Sequence, residues 1–461
     1  MIPTVSAGSK SHVLESRMPK MFRNKSISPG GNINGVLELP GDKSISHRYA
    51  ILGALAEGKS EILNFSSAAD CKSTLGCLRH LGVEVQQSPE RLHLTGKGLD
   101  GLQVPRRSLD AENSGSTMRM LSGVLAGQSF ASTITGDASL RARPMRRVVE
   151  PLRKMGAEIQ THGTDCAPLE IHGGPLHSID YSLPIPSAQV KSAILLAGLY
   201  ADGVTTVRET VRTRDHTELA LREFGATVES LNKSVRIHPG PKLQARQLTV
   251  PGDLSSAVFF IAAALILPDS ALMLHNVGLN PTRTRVLDFL ISIGAVIHLA
   301  SVQLRDGELV GEVSVKHSAL AGGEMDGAQA AEMIDELPML AALGPFTEKG
   351  IEIHGAQELR VKESDRIATL AAGLQRMGAA VEEFPDGLRV EGHSAGRLRG
   401  AKVDPAGDHR IAMALSMAAL GAQGDTVIRH ADCVAVSYPE FFETLGRLRG
   451  GGTSNQEDLR R

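Results

Sequence analysis

At 461 residues with 42% hydrophobic content, the chain is long enough to form two or three packed domains. A net charge of −2, no Trp and 3% aromatic residues exclude a bulk nucleic-acid binder, which needs a basic surface and stacking platforms, so any anion binding must be local. Cys71, Cys77, Cys166 and Cys433 show neither metal-ligand nor disulfide spacing, as expected in a reducing cytoplasm, and the longest apolar run, Ala257 to Leu267, is too short to span a bilayer.

The first two dozen residues contain Met18, Met21, several Ser and basic residues, and no apolar core. Residues 1–23 therefore read as a flexible extension with a late true start, not as a secretory signal. The next stretch predicts a helix from Ser44 to Ala56 stopped by Gly58, a strand from Ser60 to Asn64, a helix from Asp70 to Leu81, and strands at Val83–Gln87 and Arg91–Thr95. The same order fits Thr117–Ala126, Ser132–Thr135 and Arg146–Met155, and again Ser256–Leu267, Ala271–Asn276 and Thr284–Ile293. With a strand leading in, each unit is βαβαββ. The tail from Gly450 to Arg461 is polar and reads as disordered.

One phrase marks the units: a helix closing on an apolar residue, then Gly, then Val or Ala, then a strand-like run. It occurs at Leu81-Gly82-Val83, Met155-Gly156-Ala157, Phe224-Gly225-Ala226, Ile293-Gly294-Ala295 and Met377-Gly378-Ala379, roughly seventy to eighty residues apart. Gly there suits a left-handed helix cap. A second series of polar clusters opens the apolar helices: Lys43-Ser44, Asn113-Ser114-Gly115, Ser187-Ala188-Gln189, Asp253-Leu254-Ser255, Asp335-Glu336 and Asp408-His409-Arg410. These make six units, the last lacking only the Gly phrase. Pro40-Gly41-Asp42 and Pro251-Gly252-Asp253 repeat almost word for word, so the second half restarts the first, giving two domains of three units. Helices that are apolar all round are buried ones, and three per domain would gather their partly positive N-termini at one end, where anions bind.

Lys43, Ser44 and Arg48 share one face at the start of the first helix and offer a hydroxyl and cationic donors, which is phosphate or carboxylate chemistry. Arg143 stands just before a helix, Arg410 opens another, and Arg360, Lys362 and Arg366 cluster. Alone, each is an ordinary surface charge and Ser44 an ordinary cap; their recurrence at helix starts in different units points to a site. Asp335 and Glu363 flank the basic set. In separate environments one could stay ionised while the other is protonated, supplying a base and an acid, although Asp335 also fits a helix cap and Glu363 a surface acid.

Leu39-Pro40-Gly41-Asp42-Lys43-Ser44-Ile45-Ser46-His47-Arg48, Asn113-Ser114-Gly115-Ser116-Thr117-Met118-Arg119, Ser187-Ala188-Gln189-Val190-Lys191-Ser192 and Arg360-Val361-Lys362-Glu363-Ser364-Asp365-Arg366, with Asp408-His409-Arg410, resemble the 5-enolpyruvylshikimate-3-phosphate synthase family, in order from about Asn32 to Leu448. The resemblance implies an α/β fold of two domains, each with three βαβαββ units around buried parallel helices. The first domain would be discontinuous, 24–42 plus 252–449, with 43–251 inserted. It implies the sixth step of the shikimate pathway, a route to chorismate and the aromatic amino acids. The enolpyruvyl group of phosphoenolpyruvate moves to the 5-hydroxyl of shikimate 3-phosphate, releasing phosphate.

By similarity, Lys43, Ser44, Arg48, Ser187, Ala188 through its backbone, Gln189, Arg214, Asp335 and Lys362 contact shikimate 3-phosphate. Lys43, Gly115, Arg143, Gln189, Arg366 and Arg410 hold phosphoenolpyruvate. Asp335 is the implied proton acceptor and Glu363 the proton donor. No metal or cofactor is implied, nor any nucleic-acid or membrane partner, and members are commonly monomers. Two positions depart from the usual pattern: Ala188 replaces a second serine, and Val436 stands where many members carry Lys. Gly115 leaves room beside the phosphoenolpyruvate site, which implies sensitivity to glyphosate. The rival readings are the enolpyruvyl transferase acting on UDP-N-acetylglucosamine, which has Lys-Asn in place of Lys43-Ser44 and a loop Cys acid, and a non-catalytic sensor of shikimate 3-phosphate, which need not keep both acids.

Overall fold

The computed structural model describes residues 23–393 and 396–450. Most of the expected flexible extension and disordered tail lies outside these residues. Arg23, at the inner edge of the extension, is held by the structure, its carbonyl accepting from the Ala431 N–H at 2.8 Å.

The five repeated glycines, Gly82, Gly156, Gly225, Gly294 and Gly378, all have φ between 83° and 105°. This left-handed conformation lets the chain fold back over the helix end. The residue after each glycine donates to the carbonyl five residues earlier, Val83 to Leu78 at 3.1 Å and Ala157 to Leu152 at 3.0 Å among them. Helix ends that would otherwise leave carbonyls unpaired are closed the same way in five units. Gly58, expected to stop the first helix, lies instead within the strand Glu57–Leu63, which begins earlier than predicted because its pairing with Arg91–Lys97 extends to Glu57↔Lys97.

Six helices carry the polar clusters at their starts: α1 (Lys43–Leu55), α2 (Gly115–Ala126), α3 (Ala188–Gly198), α4 (Leu254–Ile266), α5 (Leu337–Leu343) and α6 (His409–Leu420). Short polar side chains cap most of them. Asp42 accepts from the Ile45 N–H at 3.0 Å, Ser114 from Thr117 at 3.1 Å, Ser187 from Val190 at 3.4 Å, Asp253 from Ser255 at 2.9 Å and Asp408 from Arg410 at 2.9 Å. α5 instead starts with Pro338 in its first turn, where a missing N–H costs no bond. Every residue of α6 and all but the last of α4 is buried. The α2–α3 crossing is so close that a Cβ on Gly123 would lie 2.1 Å from the Ala193 carbonyl oxygen.

Outside these helices the described residues form six small sheets. In the second and third units the leading strand pairs in parallel with the strand after the buried helix, as Leu109–Asp110 does with Ala131–Thr135 and Asp180–Ser182 with Thr205–Arg208. At the boundary the strands are exchanged. Asn34–Glu38, just before α1, pairs not with Glu57–Leu63 but with Ala271–Gly278 beyond α4, while Gln247–Thr249, just before α4, pairs with Glu57–Leu63. The two crossings run side by side, Asp42 N–H donating to the Pro251 carbonyl at 2.8 Å and Asp253 N–H to the Pro40 carbonyl at 3.1 Å. The sixth unit departs from βαβαββ: its sheet has three strands, and Lys25–Ile27 from the N-terminal end pairs antiparallel with Thr426–Ile428 in place of a closing hairpin.

Two cores result. One gathers buried apolar residues from Ile45 to Val250, the other from Ile27 to Leu39 and from Leu254 to Leu448. Among the described residues no helix is long and apolar enough to cross a membrane.

Candidate active site

The buried helices deliver their first residues to a cleft between the two cores. From the first core come Lys43 and Ser44 of α1, Gly115 of α2, Ser187 and Gln189 at the start of α3, Arg143 between two short helices, and Arg214 just before the helix His216–Glu223. From the second come Asp335 ahead of α5, Lys362 and Glu363, Arg366 opening the helix Arg366–Arg376, and Arg410 of α6. All line one cavity of about 200 Å³. Eight cationic side chains and four carboxylates face it, an excess that suits small polyanions.

The two predicted acids sit inside the cationic set. Arg214 Nη2 lies 2.6 Å from Asp335 Oδ2, Arg366 Nη1 3.7 Å from Asp335 Oδ1, and Arg410 Nη2 3.8 Å from Asp335 Oδ2. Arg410 Nη1 also donates to the Asp335 carbonyl at 2.7 Å. Glu363 accepts from Arg366 Nη2 at 2.6 Å and from Arg143 Nη1 at 3.4 Å. Burial pushes both carboxyls up, but Arg410, Arg214, Lys362 and Arg366 outweigh it at Asp335, and Arg366, Arg143 and Lys43 at Glu363. Both lie well below the usual carboxylate range. The expected contrast between an ionised and a protonated acid is therefore absent as the side chains stand, because each acid touches guanidinium groups whose charge outweighs its burial. Lys362, mainly through burial, is shifted below the ordinary lysine value.

Two predicted residues fall outside this lining. Arg48 backs the cavity: Nε donates to Thr217 Oγ1 at 2.6 Å, Nη2 to Ser192 Oγ at 2.8 Å and Nη1 to the Ser44 carbonyl at 2.8 Å. Ala188 lines an adjoining recess that also contains Arg214 and Lys362. As the first residue of α3, its N–H has no partner within the helix to satisfy. Arg360, from the predicted basic cluster, turns away to Asp365 and Glu383, at 2.8 and 2.9 Å. Val436 is half-buried and does not line the cavity.

Sequence reasoning missed Asp70, Arg119, Arg147, Glu358 and His409, which also face the cavity. Asp70 pairs with Lys43 Nζ at 2.9 Å; this outweighs the effect of burial and raises the Lys43 pKa. Arg119 Nη1 donates to Gln189 Oε1 at 2.6 Å, and Gln189 Nε2 to Ser116 Oγ at 2.9 Å, so Gln189 is oriented from both ends. Arg119 follows Gly115 by one helical turn, the spacing that places Arg48 beside Ser44, and that spacing could have found it. His409 is buried with neither ring nitrogen hydrogen-bonded, and burial beside Lys43 holds its pKa well below the usual value.

The model of the family described as EPSP synthase (3-phosphoshikimate 1-carboxyvinyltransferase) matches residues 27–445. The 3-phosphoshikimate 1-carboxyvinyltransferase of Solibacter usitatus is 54% identical over 425 residues, 92% of this chain and 99% of that protein. The solved EPSP synthase of Acinetobacter baumannii superposes with a TM-score of 0.82 at 41% identity, covering 92% of this chain and 98% of its own. The enolpyruvyl transferase NikO of Streptomyces tendae, at 19% identity and a TM-score of 0.73 over 92% of this chain and 96% of its own, shares the fold. With that fold, this degree of identity and the cationic cleft between its two domains, the chain belongs to the EPSP synthase family.

Proposed function

We propose that this protein transfers the enolpyruvyl group of phosphoenolpyruvate to the 5-hydroxyl of shikimate 3-phosphate, giving 5-enolpyruvylshikimate 3-phosphate and phosphate. The observation that carries the reading is the meeting, in one cavity, of Lys43, Arg143, Gln189 and Arg214 from one core with Asp335, Lys362, Glu363, Arg366 and Arg410 from the other. Two domains, 43–251 and 24–42 with 252–449, close on the substrates and exclude water that would compete with the hydroxyl.

Shikimate 3-phosphate is held by Lys43, Ser44, Ser187, the Ala188 N–H, Gln189, Arg214, Asp335 and Lys362. Arg214, beside Ala188, supplies a contact that a second serine would give. Arg48 braces Ser44 and keeps a second N–H on each of Nη1 and Nη2 for this substrate. Phosphoenolpyruvate is held by Lys43, Arg143, Gln189, Arg366 and Arg410, with Gly115 leaving it room. Asp335 accepts the proton of the 5-hydroxyl as that oxygen bonds to C2, and Glu363 delivers a proton to the methylene carbon; the tetrahedral adduct then breaks its C2–O bond to phosphate while the new methyl group returns a proton to Glu363, which restores the carbon–carbon double bond of the enolpyruvyl product. Glu363 stands ionised between Arg366 and Arg143. When the anionic groups of phosphoenolpyruvate engage those guanidiniums, their hold on Glu363 weakens and its pKa rises toward that of a donor.

One chain supplies the whole cavity, so a monomer suffices, and the four free cysteines accord with a cytoplasmic enzyme. The deciding assay is phosphate release from phosphoenolpyruvate with shikimate 3-phosphate or with UDP-N-acetylglucosamine. Release only with shikimate 3-phosphate is expected. Release only with the sugar nucleotide would assign the rival transferase, and binding without release the sensor.

A further inference from the structure

The repeated Pro-Gly-Asp phrase is not consumed by the chemistry, yet both of its aspartates converge on one side chain. Arg283, 4% exposed in the turn between the strand Ala271–Gly278 and the helix Arg285–Ser292, sits where the two chain crossings meet. Its Nη1 donates to Asp42 Oδ2 at 3.2 Å, and its Nη2 donates to Ser255 Oγ at 2.5 Å. The same Nη2 lies 3.8 Å from Asp253 Oδ1 and 3.5 Å from Glu336 Oε1. Ser255 passes the contact on by donating to Glu336. Asp42, Asp253 and Glu336 are all buried, at 4%, 6% and 3% exposure, and Arg283 is the nearest guanidinium to all three, with Arg214, Arg410 and Lys43 acting from farther away. Each of the three acids occupies the residue that starts a buried helix: α1, α4 and α5.

We propose that Arg283 is a positioning residue for the reaction. By joining Asp42 to Glu336 it fixes the start of α1, which presents Lys43 and Ser44 from the first core, against the segment that presents Asp335 from the second. The planar fork of an arginine can hold the carboxylate that caps α1 together with those at the starts of α4 and α5, whereas the single ammonium of a lysine is a poorer match to so many partners. The same turn adds a second tie: Asn280 Nδ2 donates to Asp215 Oδ1 at 2.8 Å and to Glu308 Oε2 at 2.9 Å, beside Arg214. Arg283 touches no substrate in this scheme; it sets the distance across which Asp335 meets a hydroxyl held largely by the first core.

The inference rests on the synthase reading, and its test keeps the two separable. In the full-length chain, Arg283→Lys and Asp42→Asn are compared with wild type by calorimetric titration of shikimate 3-phosphate and by phosphate-release kinetics. Asn caps a helix as well as Asp does, so Asp42→Asn removes the pairing while keeping α1 capped, and it decides the question if Arg283→Lys fails to fold. In both variants the shikimate 3-phosphate Kd is expected to stay within about threefold of wild type, while kcat falls about 10- to 100-fold and the phosphoenolpyruvate KM rises. Variants that melt earlier but keep wild-type kcat and KM would overturn the proposal and leave Arg283 a purely structural hub. A wild type that binds shikimate 3-phosphate without turnover would overturn the synthase reading and this inference with it, whereas active wild type with active variants overturns this inference alone.

Discussion

Arg147 and Glu358 form a two-pronged ion pair across the cleft, Nη1 to Oε2 at 2.7 Å and Nη2 to Oε1 at 2.8 Å, tying the helix Arg146–Lys154 of the first core to the second. Their side chains are 40% and 30% exposed, so water and salt screen the pair and its worth is that of a good surface bridge. A double-mutant cycle with Arg147→Met and Glu358→Gln should give a coupling of about 0.5–1 kcal/mol, read as an approximately two- to fivefold rise in phosphoenolpyruvate KM. That coupling should vanish at about 1 M salt, where the screening length is roughly 3 Å.

Asp335 is the only carboxylate placed against Arg214, Arg366 and Arg410 together among the described residues. Asp335→Ala should lower the rate of phosphate release by about 10²- to 10⁴-fold, the usual contribution of a positioned base. Shikimate 3-phosphate should still bind, because Lys43, Ser44, Ser187 and Gln189 remain; loss of binding in parallel with turnover would count against the assigned role.

Acid should destabilise the protein through the same carboxylates. Asp335 and Glu363 are held below their ordinary values, so the stability they add is present above their unfolded values, about 3.9 and 4.3, and is lost as pH falls through the lower folded ones. Urea unfolding from pH 6 down to pH 2 should show the wild type losing more stability than Asp335→Asn over this range. Equal pH slopes would contradict the electrostatic picture.

A methyl group on Gly115 would stand 2.6 Å from Arg119 Nη1 and 3.5 Å from Arg143 Nη1. Gly115→Ala must therefore push aside Arg119, the flexible partner that orients Gln189. Phosphoenolpyruvate KM should rise and inhibition by glyphosate should weaken, with shikimate 3-phosphate affinity little changed. The unaltered protein should be glyphosate-sensitive, and full activity in millimolar glyphosate at limiting phosphoenolpyruvate would refute the assignment of Gly115 to that site.

At Gly123 the obstruction is rigid. A Cβ there would meet the Ala193 backbone, not a side chain that can move, so Gly123→Ala should cost about 1–3 kcal/mol of stability by overpacking. Chemical denaturation would report it as a lower midpoint with an unchanged slope.

What could be read in advance depended on the range of the interaction. The left-handed glycines and the capped starts of α1, α2, α3, α4 and α6 were legible because a cap acts over two to five residues, all of them adjacent in the chain. Lys43 and Arg410 were singled out for the same reason, since each stands at such a start, and Asp335 because it flanks the basic set, whereas Gly115 and Gln189 were named as site residues only by the family resemblance. Arg48 was placed on the correct helix face, but its partners Ser192 and Thr217 lie 144 and 169 positions away, beyond the reach of any local pattern. The contrast in charge that the sequence allowed between Asp335 and Glu363 is not seen with the cavity as it stands, because each acid's protonation depends on guanidiniums brought in by folding.

The sequence by itself determined the repeated unit, the buried helices and the residue types gathered at their starts, because hydrophobic period, capping and the glycine conformation are properties of short segments. Only the tertiary structure decided which strands exchange between the two cores, that Lys25–Ile27 closes the sixth sheet, that Arg147 meets Glu358, and that Arg283 collects both hinge aspartates. Those outcomes follow from packing two cores against each other, which juxtaposes groups hundreds of residues apart and satisfies their charges only when both cores are in place.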